Sequence, residues 1–308
     1  MAEKTGTSRI PGRRRMSSGR AKQVRFIVLG LTPVLLYFLI FSVYPVFSAF
    51  KISLHRWGLL DLNRPFIGLT NYLWAFNDPV FWVSLKNTLY YAFYYVLWGT
   101  LLGMLLAVFV NSLVEPFVTV MRGVIFMPVV TSMVAVSLMF VWLYQPMYGV
   151  LNYLLGFIGL GPFDFLMSTT QVMPSIVAMS VWKSVGYTMV LFLAGLTTIP
   201  GELYEAAKVD GASGWQSFLH ITLPLLKPTT LFALVTGMIG GFQVFTQIYV
   251  MTGGGPGTAS RTLVMHIYET GFKFFEMGRA SALAFLLFAL VLVITMLQLK
   301  YLQADFEY

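Results

Sequence analysis

Residues 26–50 read FIVLGLTPVLLYFLIFSVYPVFSAF, 25 residues without a charge. The hydrocarbon core of a bilayer needs about 20 mainly apolar residues per helix, so this stretch is long enough to cross it. Working outward, five more runs fit the same reading: Asn87–Val114, Gly123–Tyr144, Val172–Thr197, 229–250 and Ala280–Leu299. The charge-free run Gly123–Phe163 is too long for one helix. Gln145-Pro146 and the glycines after it divide it, leaving 145–170 as a loop with a short apolar helix. The fold expected is an all-α integral membrane protein with six transmembrane helices.

Composition agrees. Of 308 residues, 57% are hydrophobic and only 10% are charged, where a soluble domain carries about 25% charged residues. The mean hydropathy is +0.76. A water-soluble globule and a disordered chain are excluded. With no cysteine, so are a disulfide scaffold, Cys-ligated zinc, Fe–S clusters and thiol catalysis. His55, His220 and His266 are too scattered for a His-rich metal site.

The net charge of +8 comes mostly from residues 1–25, which hold eight of the 20 Lys and Arg against Glu3 alone. This Gly/Ser/Arg-rich segment reads as a disordered cytoplasmic tail near anionic headgroups. The positive-inside rule then puts the N-terminus in the cytoplasm, and six spans return the C-terminus there. Loop charges alone would reverse this bias, so the orientation rests on the tail and on the loop below. Residues 26–50 are too long for a signal peptide, and no small-x-small cleavage site comes after them.

Residues 200–228, PGELYEAAKVDGASGWQSFLHITLPLLKP, form the longest polar stretch on the cytoplasmic side. Glu202–Asp210 uses strong helix formers. Gly211 can take φ > 0, end that helix and turn the chain. Ser213 can cap a second short helix, in which Trp215, Phe218 and Leu219 make an apolar stripe. Pro224 is expected to break it before the next span. The pair reads either as a protein-docking knob or as an interfacial helix on lipid.

Lys183 lies near the middle of span four, where a lysine costs roughly 2.5–3.5 kcal/mol on insertion scales. Ser180, Lys183, Ser184 and Tyr187 share its helical face at i, i+3, i+4 and i+7. On a continuous span five, Thr236, Gly240, Gln243 and Gln247 form a second polar face with Phe242 beside it. Such groups suit a polyhydroxylated ligand, or equally hydrogen bonding between helices. The stripe Asn87, Tyr91, Tyr94 and Trp98 in span two fits a ligand, an interfacial belt or core packing. Pro33, Pro45, Pro128, Pro174 and three glycines of span five suit helices bent around a cavity, although membrane helices carry more Gly and Pro in any case.

Other machinery is missing. There is no G-x-x-x-x-G-K-[ST] for ATP. All 12 acidic residues and the three histidines fall outside the expected spans, which counts against a proton-coupled carrier. No span supplies paired carboxylates, a metal cluster or a Ser/His arrangement for catalysis.

Glu205-Ala206-Ala207, Gly211 and Ile221-Thr222-Leu223-Pro224 resemble the EAA signature of membrane permeases of binding-protein-dependent ABC importers. The wider stretch Trp182–Pro256, with Asp210-Gly211-Ala212 and Gly254-Gly255-Pro256, is similar to the carbohydrate branch, the MalF-type permeases. The resemblance implies a type I importer fold and makes residues 200–228 a cytoplasmic coupling helix seated in a separate ATPase. Glu205 would pair with a basic residue there. Ala206 and Ala207 would allow close approach, and Gly211 would set the angle between the two helices. Asp210, Trp215 and Phe218 complete that surface. It also implies that Lys183, Ser184, Tyr187, Phe242 and Gln243 line a sugar site, with Lys183 replacing an apolar residue of the maltose permease. The chain itself would bind no cofactor or metal and no nucleic acid, and would hold no catalytic residue; ATP and Mg would sit on the partner. Expected partners are a second, related permease, two ATPase copies and an extracytoplasmic sugar-binding protein, in a bacterial or archaeal cytoplasmic membrane. Other readings are an importer of a glycerol phosphate ester and an ion-coupled carrier.

Overall fold

The computed structural model describes residues 18–60 and 62–302. The chain divides into two compact units, residues 1–51 and 52–308. The first unit holds α1 (Ser18–Phe38), a π-helical turn at Leu39–Val43 and most of α2 (Tyr44–Ser53). Residues 1–17 of the expected tail lie outside the described residues. Residues 18–25, expected to be disordered, are helical; helix formers such as Ala21, Lys22 and Gln23 carry the helix backward from its apolar run.

The second unit begins with α3 (Thr70–Asn77) and α4 (Pro79–Asn111). The expected span two starts eight residues later than the observed helix. The difference lies in the cap: Asp78 Oδ1 accepts from Val80 N at 2.9 Å, and Pro79 occupies the first turn, where its missing N–H costs nothing.

Span three is two helices, α5 (Phe117–Val130) and α6 (Met133–Leu143), bent by 95°. Thr131 and Ser132 are extended between them. The Thr131 hydroxyl donates to the Pro128 carbonyl at 2.6 Å, giving that oxygen a partner outside the helix ladder. α7 (Val150–Gly156) comes next, then α8 (Val172–Thr197).

After α9 (Gly201–Val209), α10 (Gly214–Ser217) runs through a π-helical turn at Phe218–Thr222 into α11 (Leu223–Leu225). Pro224 therefore does not break this helix. It stands in the first turn of α11, and the chain turns by 63° at Leu226 before α12 (Lys227–Phe242). The expected span five is also interrupted: α12 ends at Phe242, and α13 (Thr246–Met251) begins after Gln243–Phe245. α14 (Leu263–Tyr268) and α15 (Met277–Leu302) complete the described residues.

Among the described residues four helices are long and apolar enough to cross a membrane, or up to six if each bent pair counts as one span. In the second unit α4 packs along α8 and α12, α5 packs on α8, and α15 lies against α12. Small residues set these distances. A methyl on Gly186 would run into the Ile125 carbonyl and lie 2.9 Å from Phe126 Cα; one on Gly103 would lie 2.6 Å from Thr188. Close backbone approach at small residues is how membrane helices gain packing without a hydrophobic driving force. Large apolar side chains such as Phe93, Phe109, Trp142 and Phe288 remain exposed, as surfaces facing lipid or another membrane chain require.

Candidate coupling loop and transport pathway

The loop after α8 is rigid by construction. α9 ends in a Schellman motif: Ala212 N donates to Ala207 O at 2.9 Å and Gly211 N to Lys208 O at 3.2 Å, with Gly211 at φ +77°. A residue with a Cβ is strained there. Ser213 then opens α10 with a capping box, its hydroxyl accepting from Gln216 N while its own N–H donates to Gln216 Oε1 at 2.7 Å. Tyr204 on α9 and Thr222 share a hydroxyl hydrogen bond of 2.8 Å, which braces the first short helix against the second. Glu205, Ala206 and Asp210 are exposed, whereas Ala207 and Phe218 are half-buried. Trp215 stacks on Phe218 at 5.4 Å between ring centres yet stays 67% exposed. The residues read as an ATPase-facing surface thus fall on one ordered, exposed knob.

This knob is joined to the spans behind it. Leu226, at the turn into α12, is fully buried. A methyl on Gly195 of α8 would sit 2.5 Å from Thr229 Oγ1 and 2.9 Å from Leu226. The chain leaving the knob is thus packed closely against α8 where α12 begins.

Ser184 and Tyr187 of α8 line a cavity of about 90 Å3 with Tyr95 and Thr100 of α4 and Thr236 of α12. Lys183 is not among its walls. It is buried, and its ammonium donates to Val129 O at 3.2 Å, at the bend between α5 and α6. Phe242 and Gln243 do not join this group. Phe242 is 1% exposed in a core with Ala92 and Leu283. Gln243 ends α12 as an exposed residue. Phe242 lies inside α12, six residues and about 120° round the helix from Thr236, and Gln243 is the C-cap at which the face shared with Thr236 ends. Gln247, past the break, is a buried tie, donating to Tyr91 OH at 2.8 Å and reaching Ser180 Oγ at 3.4 Å.

The span-two stripe also divides. Asn87 holds the glycine-rich loop through Thr258 O (2.9 Å) and Arg261 O (3.0 Å), and Tyr91 is core. Tyr94 and Trp98 face an apolar groove of about 620 Å3 with Pro174 and Trp182. Sequence reasoning missed a second constellation: His266 Nε2 meets Asp78 Oδ2 at 3.1 Å, joining α14 to the cap of α4. Burial pushes the His266 imidazole below its ordinary pKa despite the opposing pull of Asp78. Arg261 and Lys273 both pair with buried Glu269 nearby, at 3.2 and 3.0 Å. Among the described residues no group of His, Asp and Glu could hold a metal ion.

The chain belongs to the family of binding-protein-dependent transport system inner membrane components, whose model matches residues 99–305. It is 39% identical over 282 residues to the probable ABC transporter permease protein YurN of Bacillus subtilis, covering 91% of this chain and 96% of that one. It is 37% identical over 270 residues to the arabinooligosaccharides transport system permease protein AraP of the same organism, covering 87% and 85%. Its fold matches a bacterial alginate ABC transporter, solved in complex with an alginate pentasaccharide-bound periplasmic protein. The TM-score is 0.80 at 27% identity, over 93% of this chain and 96% of that one.

Proposed function

We propose that this permease carries a sugar or oligosaccharide into the cytoplasm by alternating access, and that residues 200–228 couple it to a separate ATPase. The observation that carries the reading is the knob itself: a Schellman turn at Gly211, a capping box at Ser213 and the Tyr204–Thr222 brace hold an exposed Trp215 at a fixed angle. A stiff protrusion locked to α8 and α12 transmits a stroke, where a flexible one absorbs it. In this reading ATP and Mg bind two copies of the partner ATPase, and this chain holds no catalytic residue. Glu205 meets a basic group of that ATPase, and Ala206 and Ala207 admit its backbone. Asp210 and Phe218 shape the rest of the contact.

The names of the similar permease and transporter, arabinooligosaccharides and alginate, support a saccharide as cargo. The solved relative's complex with a periplasmic protein supports delivery by an extracytoplasmic sugar-binding protein. A second, related permease subunit completes the pathway, since six spans are too few to enclose a large cavity. The N- and C-termini and the knob face the cytoplasm of a bacterial or archaeal cell. Ser184 and Tyr187, with Thr236, offer hydroxyls to the passing saccharide.

The test is ATP hydrolysis by the reconstituted complex as binding protein is added with members of a sugar panel. Stimulation by one or a few sugars is expected. Hydrolysis indifferent to every loaded binding protein would contradict the reading.

A further inference from the structure

Tyr95 of α4 and Ser184 of α8 line the small cavity between α4, α8 and α12. In the proposed orientation α4 and α8 both start at the outer face, so residues earlier in each helix lie closer to it. One turn earlier, about 5.4 Å outward, stand Tyr91 and Ser180. Gln247 of α13 reaches both: its Nε2 donates to Tyr91 OH at 2.8 Å and lies 3.4 Å from Ser180 Oγ. All three side chains are buried. They form a ceiling over the cavity, in which the outer piece of span five is tied to α4 and α8.

Outward of this ceiling the packing is apolar. Ile176 and Val177 of α8 and Val244, Ile248 and Met251 of span five join Tyr91 in one buried cluster. Such packing has no room for a sugar and no partners for its hydroxyls, so passage requires α13 to part from α4 and α8. Among the described residues the side-chain hydrogen bonds of Gln247 are the only ones that α13 makes to either helix. An amide in an apolar core is costly unless it is bonded, and methionine or leucine would fill the same seam without that cost. A bond between uncharged groups has another property. Water replaces it when the seam opens, and it restores a single register when the seam closes.

We propose that Gln247 is an outer latch, which by bonding Tyr91 and Ser180 keeps the extracytoplasmic end of the pathway shut until loaded binding protein docks. Resting on the importer reading, this makes Gln247 a positioning residue: it holds α13 in place and does not bind the sugar. Asn87, one turn outward of Tyr91, holds the loop that follows α13 through Thr258 O and Arg261 O. A protein that docks on that loop therefore bears on the same seam.

The test uses the assembled transporter in right-side-out vesicles without ATP or binding protein. The chain has no cysteine, so Thr100→Cys places its one thiol in the wall of the cavity. The probe is a small membrane-impermeant methanethiosulfonate applied from the outer face. With the latch intact this thiol should react slowly. A net hydrogen bond shifts an equilibrium about 2–10-fold, and Tyr91→Phe or Gln247→Met, each added to Thr100→Cys, should speed the outer labelling by that factor. Because both remove the same bond, the pair together should label no faster than Gln247→Met alone. ATP hydrolysis in the absence of binding protein should rise in the same variants, where a folding defect would lower it. Co-purification with the partner subunits shows assembly; Tyr91→Phe removes a single oxygen and decides where Gln247→Met does not assemble. Rapid outer labelling with the latch intact, an unchanged rate in the latch variants, or additive effects in the pair overturns the latch. Labelling needs no cargo and is read apart from the importer reading, which falls if sugar uptake by the wild type does not depend on binding protein.

Discussion

Replacing Gly211 tests the knob at its weakest geometric point. Its φ of +77° lets Gly211 N and Ala212 N close the Schellman turn on Lys208 O and Ala207 O. Alanine can hold that conformation at a cost of roughly 1–2 kcal/mol, which multiplies the unlatched fraction about 5–30-fold but keeps both hydrogen bonds of the turn available. Proline cannot hold it. Its ring fixes φ near −65°, and it lacks the N–H that reaches Lys208 O, so about 1 kcal/mol of hydrogen bonding is lost as well. α10 must then leave its present angle to α9, although no span is touched. The assay is sugar imported per ATP hydrolysed in proteoliposomes carrying the assembled complex. Gly211→Ala should keep most of the wild-type coupling. Gly211→Pro should insert and assemble, lose at least tenfold in uptake, and hydrolyse ATP without responding to loaded binding protein. Wild-type uptake in Gly211→Pro, or a greater loss in Gly211→Ala, would refute the reasoning.

Other positions give separate checks. A side chain at Gly186 of α8 meets the Ile125 carbonyl and Phe126 Cα, so Gly186→Leu should force α5 away and destabilise the protein by about 1–3 kcal/mol. Thermal unfolding in detergent would show it, and an unchanged midpoint would contradict the packing described. His266 titrates below its ordinary pKa of 6.5 because of burial, so the unfolded chain takes up a proton that the folded one resists. The stability this confers is present above about pH 6.5 and is lost as pH falls through the window below it. His266→Gln should flatten the pH dependence of the unfolding midpoint on the acid side of 6.5; an equal slope in both proteins would count against the assignment.

The existence of the spans was legible because the apolar runs are long and nearly uncharged, which leaves few alternatives. Their interruptions were not. Pro128 marks the α5–α6 bend in hindsight, but proline is tolerated inside membrane helices, and α1 carries Pro33 without ending. Nothing at Gln243–Phe245 announces a break, so a continuous helix is the natural reading, and it groups Gln243 with residues it does not meet. The knob is read more closely, because Ser213, Gln216 and Gly211 each have one strongly preferred local role. The His266–Asp78 tie joins residues 188 positions apart, and no local pattern reports such a pair. Lys183 stands out in the sequence as a cost that needs a cause, yet only the fold shows that it bonds the Val129 carbonyl of α5 rather than lining the small cavity beside Ser184.

In the proposed mechanism an exposed knob at residues 200–228 faces the cytoplasm and bears on an ATPase. The chain has no cysteine, so Val209→Cys creates one thiol on the knob, at a position 87% exposed. Membrane-impermeant maleimide applied to right-side-out and inside-out vesicles, followed by cross-linking in the assembled complex, reads sidedness and neighbour together. Labelling only in inside-out vesicles, with a cross-link to the ATPase, is the predicted result. Labelling from the outer face, or a thiol that joins no nucleotide-hydrolysing subunit, would contradict it.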